Sequence, residues 1–452
     1  MMRASRIFGE LVSENRRTLA LAAPIVAGFV GQMLMGIADT VMVGHVGVVP
    51  LAACGFANTV LAVPLVFGFG ILSAVGVAAA HALGSGNLRR AGEALRGGLA
   101  IGGAMGLLMA VGAHFVLPHL GWLGQPEAVN REAGGYFILC AWSFIPVFAT
   151  GAAKNFCEAL ARPWAPFWIM IAGVGLNVFL NWVFIYGNLG ATAMGLEGAG
   201  LATLLSRIAV MFGVLAYPVL SMGLRQALPV EWFGAGLVAE CRRLLGIGIH
   251  TGGLNLSEIT GFSFGSLMMG WLGIIPLAAH QIALTCAATT FMVPLGLAQA
   301  ASVRVGHALG AGRGERLPFI TGGVIGLTMA VMAIFAACYF VLGGAVAAAF
   351  TADLEVRELT VRLLVLAGFF QVFDGIQIVS SGALRGFRDT AVPFGIGILS
   401  YWVAALPVCW FLAFEAGMGA PGIWVGFVFG LFVAAVAMGW RLAVKVSAAV
   451  RA

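Results

Sequence analysis

Residues 19–43 read LALAAPIVAGFVGQMLMGIADTVMV, an apolar run with a single charged side chain, Asp39. About 20 consecutive apolar residues are enough to carry a helix across the hydrocarbon core of a bilayer. Working outward from this run, the same kind of stretch recurs, punctuated by glycine, proline and charge, at 51–81, 97–119, 133–160, 165–187, 199–220, 245–270, 277–308, 318–347, 360–384, 391–414 and 422–442. In lipid, only helices and closed barrels satisfy every backbone hydrogen bond, and these segments are far longer than barrel strands. The expected fold class is therefore an all-α membrane protein with twelve transmembrane helices. Composition agrees: 61% of the 452 residues are hydrophobic and 9% are charged, against about 25% charged in a soluble domain. A water-soluble surface cannot be built from so few charges.

Charge placement orients the chain. With the N-terminus inside, Arg16, Arg17, Arg89, Arg90, Arg96, Arg162, Arg225, Arg242, Arg243, Arg313, Arg316, Arg385, Arg388, Arg441, Lys445 and the terminal arginines Arg3, Arg6 and Arg451 fall in inner segments, while Arg131 and Arg357 fall outside, with Arg362 at the outer margin of its span. Cytoplasmic loops carry such an excess, so both termini are expected in the cytoplasm. The net charge of +6 then reports topology and gives no reason to invoke nucleic acid. The first apolar run is too long for the core of a signal peptide and is read as a retained helix. The seven cysteines form no CxxC pair and no zinc spacing with histidine, so neither disulfides nor a metal cluster is expected.

The chain repeats itself. GVVPLAA at 47–53 returns as GIIPLAA at 273–279, and HALG at 81–84 returns at 307–310, both 226 positions later. The same offset superimposes Arg162 on Arg388. Six spans per half give the halves the same orientation, so they are parallel repeats related by an axis along the membrane normal. The expected organisation is a cytoplasmic tail over 1–18, an N-lobe over 19–220, an inner linker over 221–244, a C-lobe over 245–442 and a tail over 443–452. Two bundles of this kind leave a cleft for cargo.

A charge at mid-membrane costs about 2.5–3.5 kcal/mol on insertion scales, so the acids inside spans are the first functional candidates. They are Asp39 in the first span, Glu258 in the seventh and Asp374 in the tenth, none with a basic residue within a helical turn. A desolvated carboxylate gains by taking up a proton or holding a cation, and either event describes a coupling-ion site. The competing reading pairs each acid with a cation on another helix, for which Lys154, Arg207 and Arg304 are available. Asn177 and Asn181 share a face of the fifth span, Gln371, Asp374 and Gln377 share a face of the tenth, and Gln281 opens the eighth. Neutral polar residues of this kind either line a ligand site or glue helices together. No HExxH zinc motif, P-loop or Rossmann fingerprint occurs in a soluble context, so the chain is not read as an enzyme. Transport must draw on an ion gradient, a partner or no energy source.

At five stretches the chain resembles the multidrug and toxic compound extrusion (MATE) transporters, in their NorM-like bacterial branch: MGIADTVMVGHVG at 35–47, LNVFLNWVFIYG at 176–187, GAGLAT at 198–203, LSEITGFSF at 256–264 and QVFDGIQIVSSGALRGFRDT at 371–390. The resemblance implies two six-helix lobes and export of cationic amphipathic compounds in exchange for sodium or protons by alternating access. It implies a bacterial cytoplasmic-membrane location and a small-molecule substrate with no resident cofactor, and two complete lobes in one chain point to a monomer. It also matches Asp39, Asn177, Asn181 and Thr203 to the N-lobe polar site, and Glu258, Asp374 and Gln281 to a C-lobe cation site that holds sodium or a proton. In another branch an aspartate stands where this chain has Asn181, which shifts the expected ion chemistry here towards Glu258 and Asp374. The alternative is a lipid or lipid-linked saccharide flippase of the same superfamily, which would favour arginines over acids in its membrane interior.

Overall fold

The computed structural model describes residues 2–229, 231, 232, 234 and 236–451, with side chains from Gly9 onward. The side chains of Arg3 and Arg6, and three positions of the expected linker (230, 233 and 235), lie outside the described residues. Twelve long helices follow in order: α1 Met2–Gly44, α2 Val48–Gly84, α3 Leu88–Val116, α4 Glu127–Ala159 with an interruption at Ser143, α5 Trp164–Tyr186, α6 Gly195–Leu220, α7 Leu237–Leu272, α8 Ile274–Gly310, α9 Leu317–Phe350, α10 Leu354–Gly386, α11 Ala391–Glu415 and α12 Ala420–Arg451. Among the described residues, 11 helices are long and apolar enough to cross a membrane. The exception is α7. It is 36 residues long, but His250, Thr251, Asn255, Ser257, Glu258 and Thr260 interrupt its apolar character.

The repeat is visible in backbone detail. Both copies of HALG end their helix with a left-handed glycine, Gly86 (φ 72°) and Gly312 (φ 65°). The next residue reaches back five positions in each copy, Asn87 N–H to Ala82 O at 2.9 Å and Arg313 N–H to Ala308 O at 2.9 Å. This pairing satisfies carbonyls that a helix end would otherwise leave bare. The third match slips by one. The left-handed residues after α4 and α10 are Ala161 (φ 56°) and Arg388 (φ 59°), with the five-back bond made by Arg162 and by Asp389. Arg388 therefore corresponds to Ala161, and the shared arginines at 226 are not structural equivalents.

Contacts divide the chain into two compact units. One spans Ala27–Gly252. The other joins the residues up to Val26 to those from Gly253 onward. These limits differ from the lobes expected at 19–220 and 245–442, because each boundary falls part-way along a helix, α1 at Val26 and α7 at Gly252. α1 is helical from its second residue, so the expected tail at 1–18 is its first turns. Buried Glu14 ties those turns to Arg304 of α8 and, at 2.8 Å, to Arg316. The start of α7 packs on α2, where Gly248 meets the backbone of Ile71 and Gly252 meets Phe67. At the other end α12 runs on as helix through the expected tail to Arg451.

Within the second unit, α10 is the central post, packed by α8, α9 and α12. Gly382 and Gly386 lie against the backbone of Ala298 and Ser302 on α8, where a side chain would not fit. Small residues permit such close approach when no water is available to drive helices together. α11 carries two π-helical stretches, Leu399–Ala405 and Phe411–Glu415. Pro407, between them, has no N–H to give to the regular ladder. π-turns re-aim side chains and often mark functional positions, and the first of these holds Ser400 and Tyr401.

Candidate functional site

In the Ala27–Gly252 unit, helical spacing puts Asn177 and Asn181 on one face of α5, and both are fully buried. The Asn181 amide donates to Asp39 Oδ1 at 2.5 Å and to Asn177 Oδ1 at 3.2 Å, and Asn177 donates to Thr203 Oγ1 at 3.5 Å. Thr203 also reaches Asp39. The four residues singled out in sequence thus form one chain of bonds from α1 through α5 to α6. Asp39 and Thr203 open onto a cavity of about 350 Å³, within the range typical of small-molecule sites. Its wall includes Asn58, which accepts from Tyr136 Oη at 3.0 Å, and Arg207, whose Nη1 donates to Ser143 Oγ at 2.6 Å.

In the other unit, Asp374 is buried on α10 and Glu258 is part-buried on α7, close enough for their charges to act on one another. Tyr401 brings its hydroxyl up to Glu258 without meeting the geometry of a hydrogen bond. Asp374 Oδ1, the Tyr401 hydroxyl and both amide atoms of Gln377, three residues on from Asp374, are buried without hydrogen-bond partners, as are Ser380 Oγ and Ser400 Oγ on the same two helices. Buried polar groups are ordinarily satisfied, so such a concentration marks a place built for something other than packing. Gln371, one turn before Asp374 on α10, has its amide engaged. Its Oε1 accepts from Thr290 at 3.0 Å and its Nε2 donates to Met332 O at 3.4 Å, which makes it helix glue. Gln281 is exposed, and its neighbour His280 is the residue turned inward, 2.9 Å from Ser266 Oγ.

Two of the three possible counter-ions are engaged elsewhere. Lys154 pairs with Glu158 at 2.8 Å and lies 4.8 Å from the centre of the Phe29 ring, and Arg304 holds Glu14. Arg207 is near enough for Asp39 to feel its charge, although no described ion pair joins them. Tyr401 escaped the sequence reading because nothing in SYW at 400–402 sets it apart from interfacial aromatics. Its being one of only 5 tyrosines was the available signal. Among the described residues no group of three or more His, Cys, Asp and Glu could hold a metal. GFSFG at 261–265 matches the GxSxG pattern of hydrolases, but Ser263 is exposed within α7 and bonds Ile259 O at 2.7 Å. It has neither the strand-to-helix turn nor the base that a nucleophile needs.

The sequence pattern of the family described as MatE matches this chain twice, over residues 24–183 and 254–411, once in each half of the repeat. A protein from Bradyrhizobium diazoefficiens described as "Probable multidrug resistance protein NorM" is 35% identical over 438 residues, covering 94% of this chain and 92% of that relative. One from Mesorhizobium japonicum with the same description is 36% identical over 431 residues, covering 93% and 92%. Among solved structures, a eukaryotic MATE transporter superimposes with a TM-score of 0.88 at 20% identity over 96% of both chains. A Vibrio cholerae MATE transporter in its bent form gives 0.86 at 21% identity over 98% of both. These structures share the fold, the family pattern covers well over half of the chain, and the sequence relatives run along nearly all of it. The chain therefore belongs to the MatE family of membrane transporters and is not an enzyme.

Proposed function

We propose that this chain is a secondary multidrug exporter of the bacterial cytoplasmic membrane, working as a monomer with both termini in the cytoplasm. It exchanges cationic amphipathic compounds for sodium ions or protons by alternating access. The observation that carries this reading is the Glu258–Asp374 pair: two carboxylates near enough to feel one another's charge, with no described basic partner, and with Asp374 Oδ1 and the Tyr401 hydroxyl lacking hydrogen-bond partners. Oxygen donors from Glu258, Asp374, Tyr401 and Gln377 suit a hard cation such as sodium, and the same acids can take a proton. The relatives described as probable multidrug resistance proteins support export of drug-like compounds.

Coupling requires that the ion and the exported compound bind with different affinity in the two access states. Carboxylates that either cation can neutralise provide that linkage: arrival of the ion weakens hold on the compound, and by reciprocity the compound weakens hold on the ion. Asp39, bonded within the other half, offers a second acid to the compound or to a proton. The test is the pair Glu258→Gln and Asp374→Asn, each measured for efflux of a cationic dye from intact cells at matched expression. Loss of gradient-dependent efflux in both is expected. Full efflux with unchanged ion dependence in both would sink the reading.

A further inference from the structure

Helices α9 and α12 both pack on α10 and touch each other little. A groove of about 490 Å³ runs between them. Along α12 its wall is Gly439, Ala443, Ser447 and Arg451, each four residues on from the last, so one helix face passes from apolar through a hydroxyl to a guanidinium. Along α9 the opposite wall is Pro318, Gly322 and Ile325. The start of α9 lies beside the end of α12, since Gly314 meets the carbonyl of Ala449, where a side chain would not fit. Ile325 and Gly439 therefore lie towards mid-membrane, and Ser447 and Arg451 towards its surface. The α12 wall is about 18 Å long at 1.5 Å per residue. Gly322 and Gly439 have open space where a side chain would stand. The charge at the outer end is unbalanced. Arg441 and Lys445 share one acid, Asp389. Arg313 and Arg451 are exposed and make no described ion pair, and Glu315 is the only acid on the turn before α9.

We propose that this groove is a binding site for one anionic phospholipid, with an acyl chain along Gly322, Ile325 and Gly439 and the phosphate at Arg451. The site is separate from the exported compound and from the coupling ion. An apolar trough in a membrane protein is filled by hydrocarbon at no cost in water structure, and any phospholipid could supply that. The surplus of positive charge at the outer end selects among headgroups, as basic clusters beside membrane spans do. The planar fork of arginine matches a phosphate with two parallel hydrogen bonds. Ser447, between the apolar end and Arg451, meets the glycerol esters of a lipid placed in this way. A lipid so held bridges α9 and α12, and it stabilises the folded chain by mass action.

Dioleoylphosphatidylglycerol and dioleoylphosphatidylcholine share their acyl chains and differ in headgroup charge. Each is titrated into the purified full chain in detergent, and bound lipid is counted by native mass spectrometry. No transport is read, so failure of ion coupling would leave the result intact. The wild-type chain is expected to retain one phosphatidylglycerol at about fivefold lower lipid concentration than phosphatidylcholine, the scale of one basic side chain at an anionic surface. Arg451→Gln removes most of that preference. Gly322→Leu and Gly439→Leu fill open space and abolish retention of the first lipid, with the melting temperature in lipid-free detergent unchanged. Added phosphatidylglycerol raises the melting temperature of the wild-type chain and not of the glycine variants. Equal retention of the two lipids by the wild-type chain, retention of neither, or retention unaltered by both glycine substitutions overturns the proposal. So does a dimer that Gly439→Leu disrupts, which would give the groove to a second copy of the chain.

Discussion

Asp374 and Glu258 sit where a charge is expensive, and among the described residues no ion pair offsets either one. Membrane acids in this position face a partner, a cavity or a pathway, and Asp374 Oδ1 and the neighbouring Gln377 amide are buried without hydrogen-bond partners. Tyr401 is the residue that the π-turn of α11 adds to them. Its ring is fixed independently of its hydroxyl, 5.8 Å from the Phe262 ring centre, so Tyr401→Phe removes an oxygen without removing packing. One hydrogen-bonding group contributes about 0.5–1.5 kcal/mol. The substitution is therefore expected to raise the ion concentration for half-maximal efflux about three- to tenfold, with the melting temperature little changed. An unaltered ion dependence would remove Tyr401 from the site.

Among the elements, the first turns of α1 illustrate what sequence could and could not reveal. The apolar core of the helix at 19–43 was legible because it is continuous. The ten residues before it look like a charged tail. They are helical because Glu14 is buried against Arg304 and Arg316, partners some 290 residues along the chain, and no local pattern announces a contact of that range. Removing one member of a buried charge cluster leaves the others uncompensated and costs about 3–5 kcal/mol. Glu14→Ala should accordingly lower the melting temperature of the purified protein clearly, whereas Glu127→Ala, whose exposed pair with Arg131 at 2.8 Å contributes about 0–1 kcal/mol, should not. Equal effects would mean that the cluster does not anchor α1. α7 shows the reverse case. Its polar residues keep it out of the set of clearly apolar spans, yet its length and the glycine and charge punctuation at its ends made it legible at 245–270, and Glu258 is among the residues that make it unlike a plain span. Asn177, Asn181, Thr203 and Asp39 were legible as a group because helical spacing and family resemblance agree. The engagement of the Gln371 amide by Thr290 and Met332 and the exposure of Gln281 were not, since they depend on how α8, α9 and α10 turn against one another.

For the whole molecule, the duplicated pattern is the organising fact. The family match falls once in each half, the glycine helix ends coincide at 226 residues and the arginine ends at 227, and the two halves have diverged in chemistry. One holds Asp39 within a hydrogen-bonded chain beside a cavity. The other holds two acids with unpartnered oxygens. Such asymmetry suits a division of labour, in which one half handles the carried compound and the other the driving ion. The most direct test is efflux of a fluorescent cationic dye from cells expressing the protein, with the sodium and proton gradients collapsed separately. Ion-coupled export predicts that efflux stops when one gradient is removed and persists without the other, which also names the ion. Efflux indifferent to both gradients, or absent for every cationic dye tried, would contradict it.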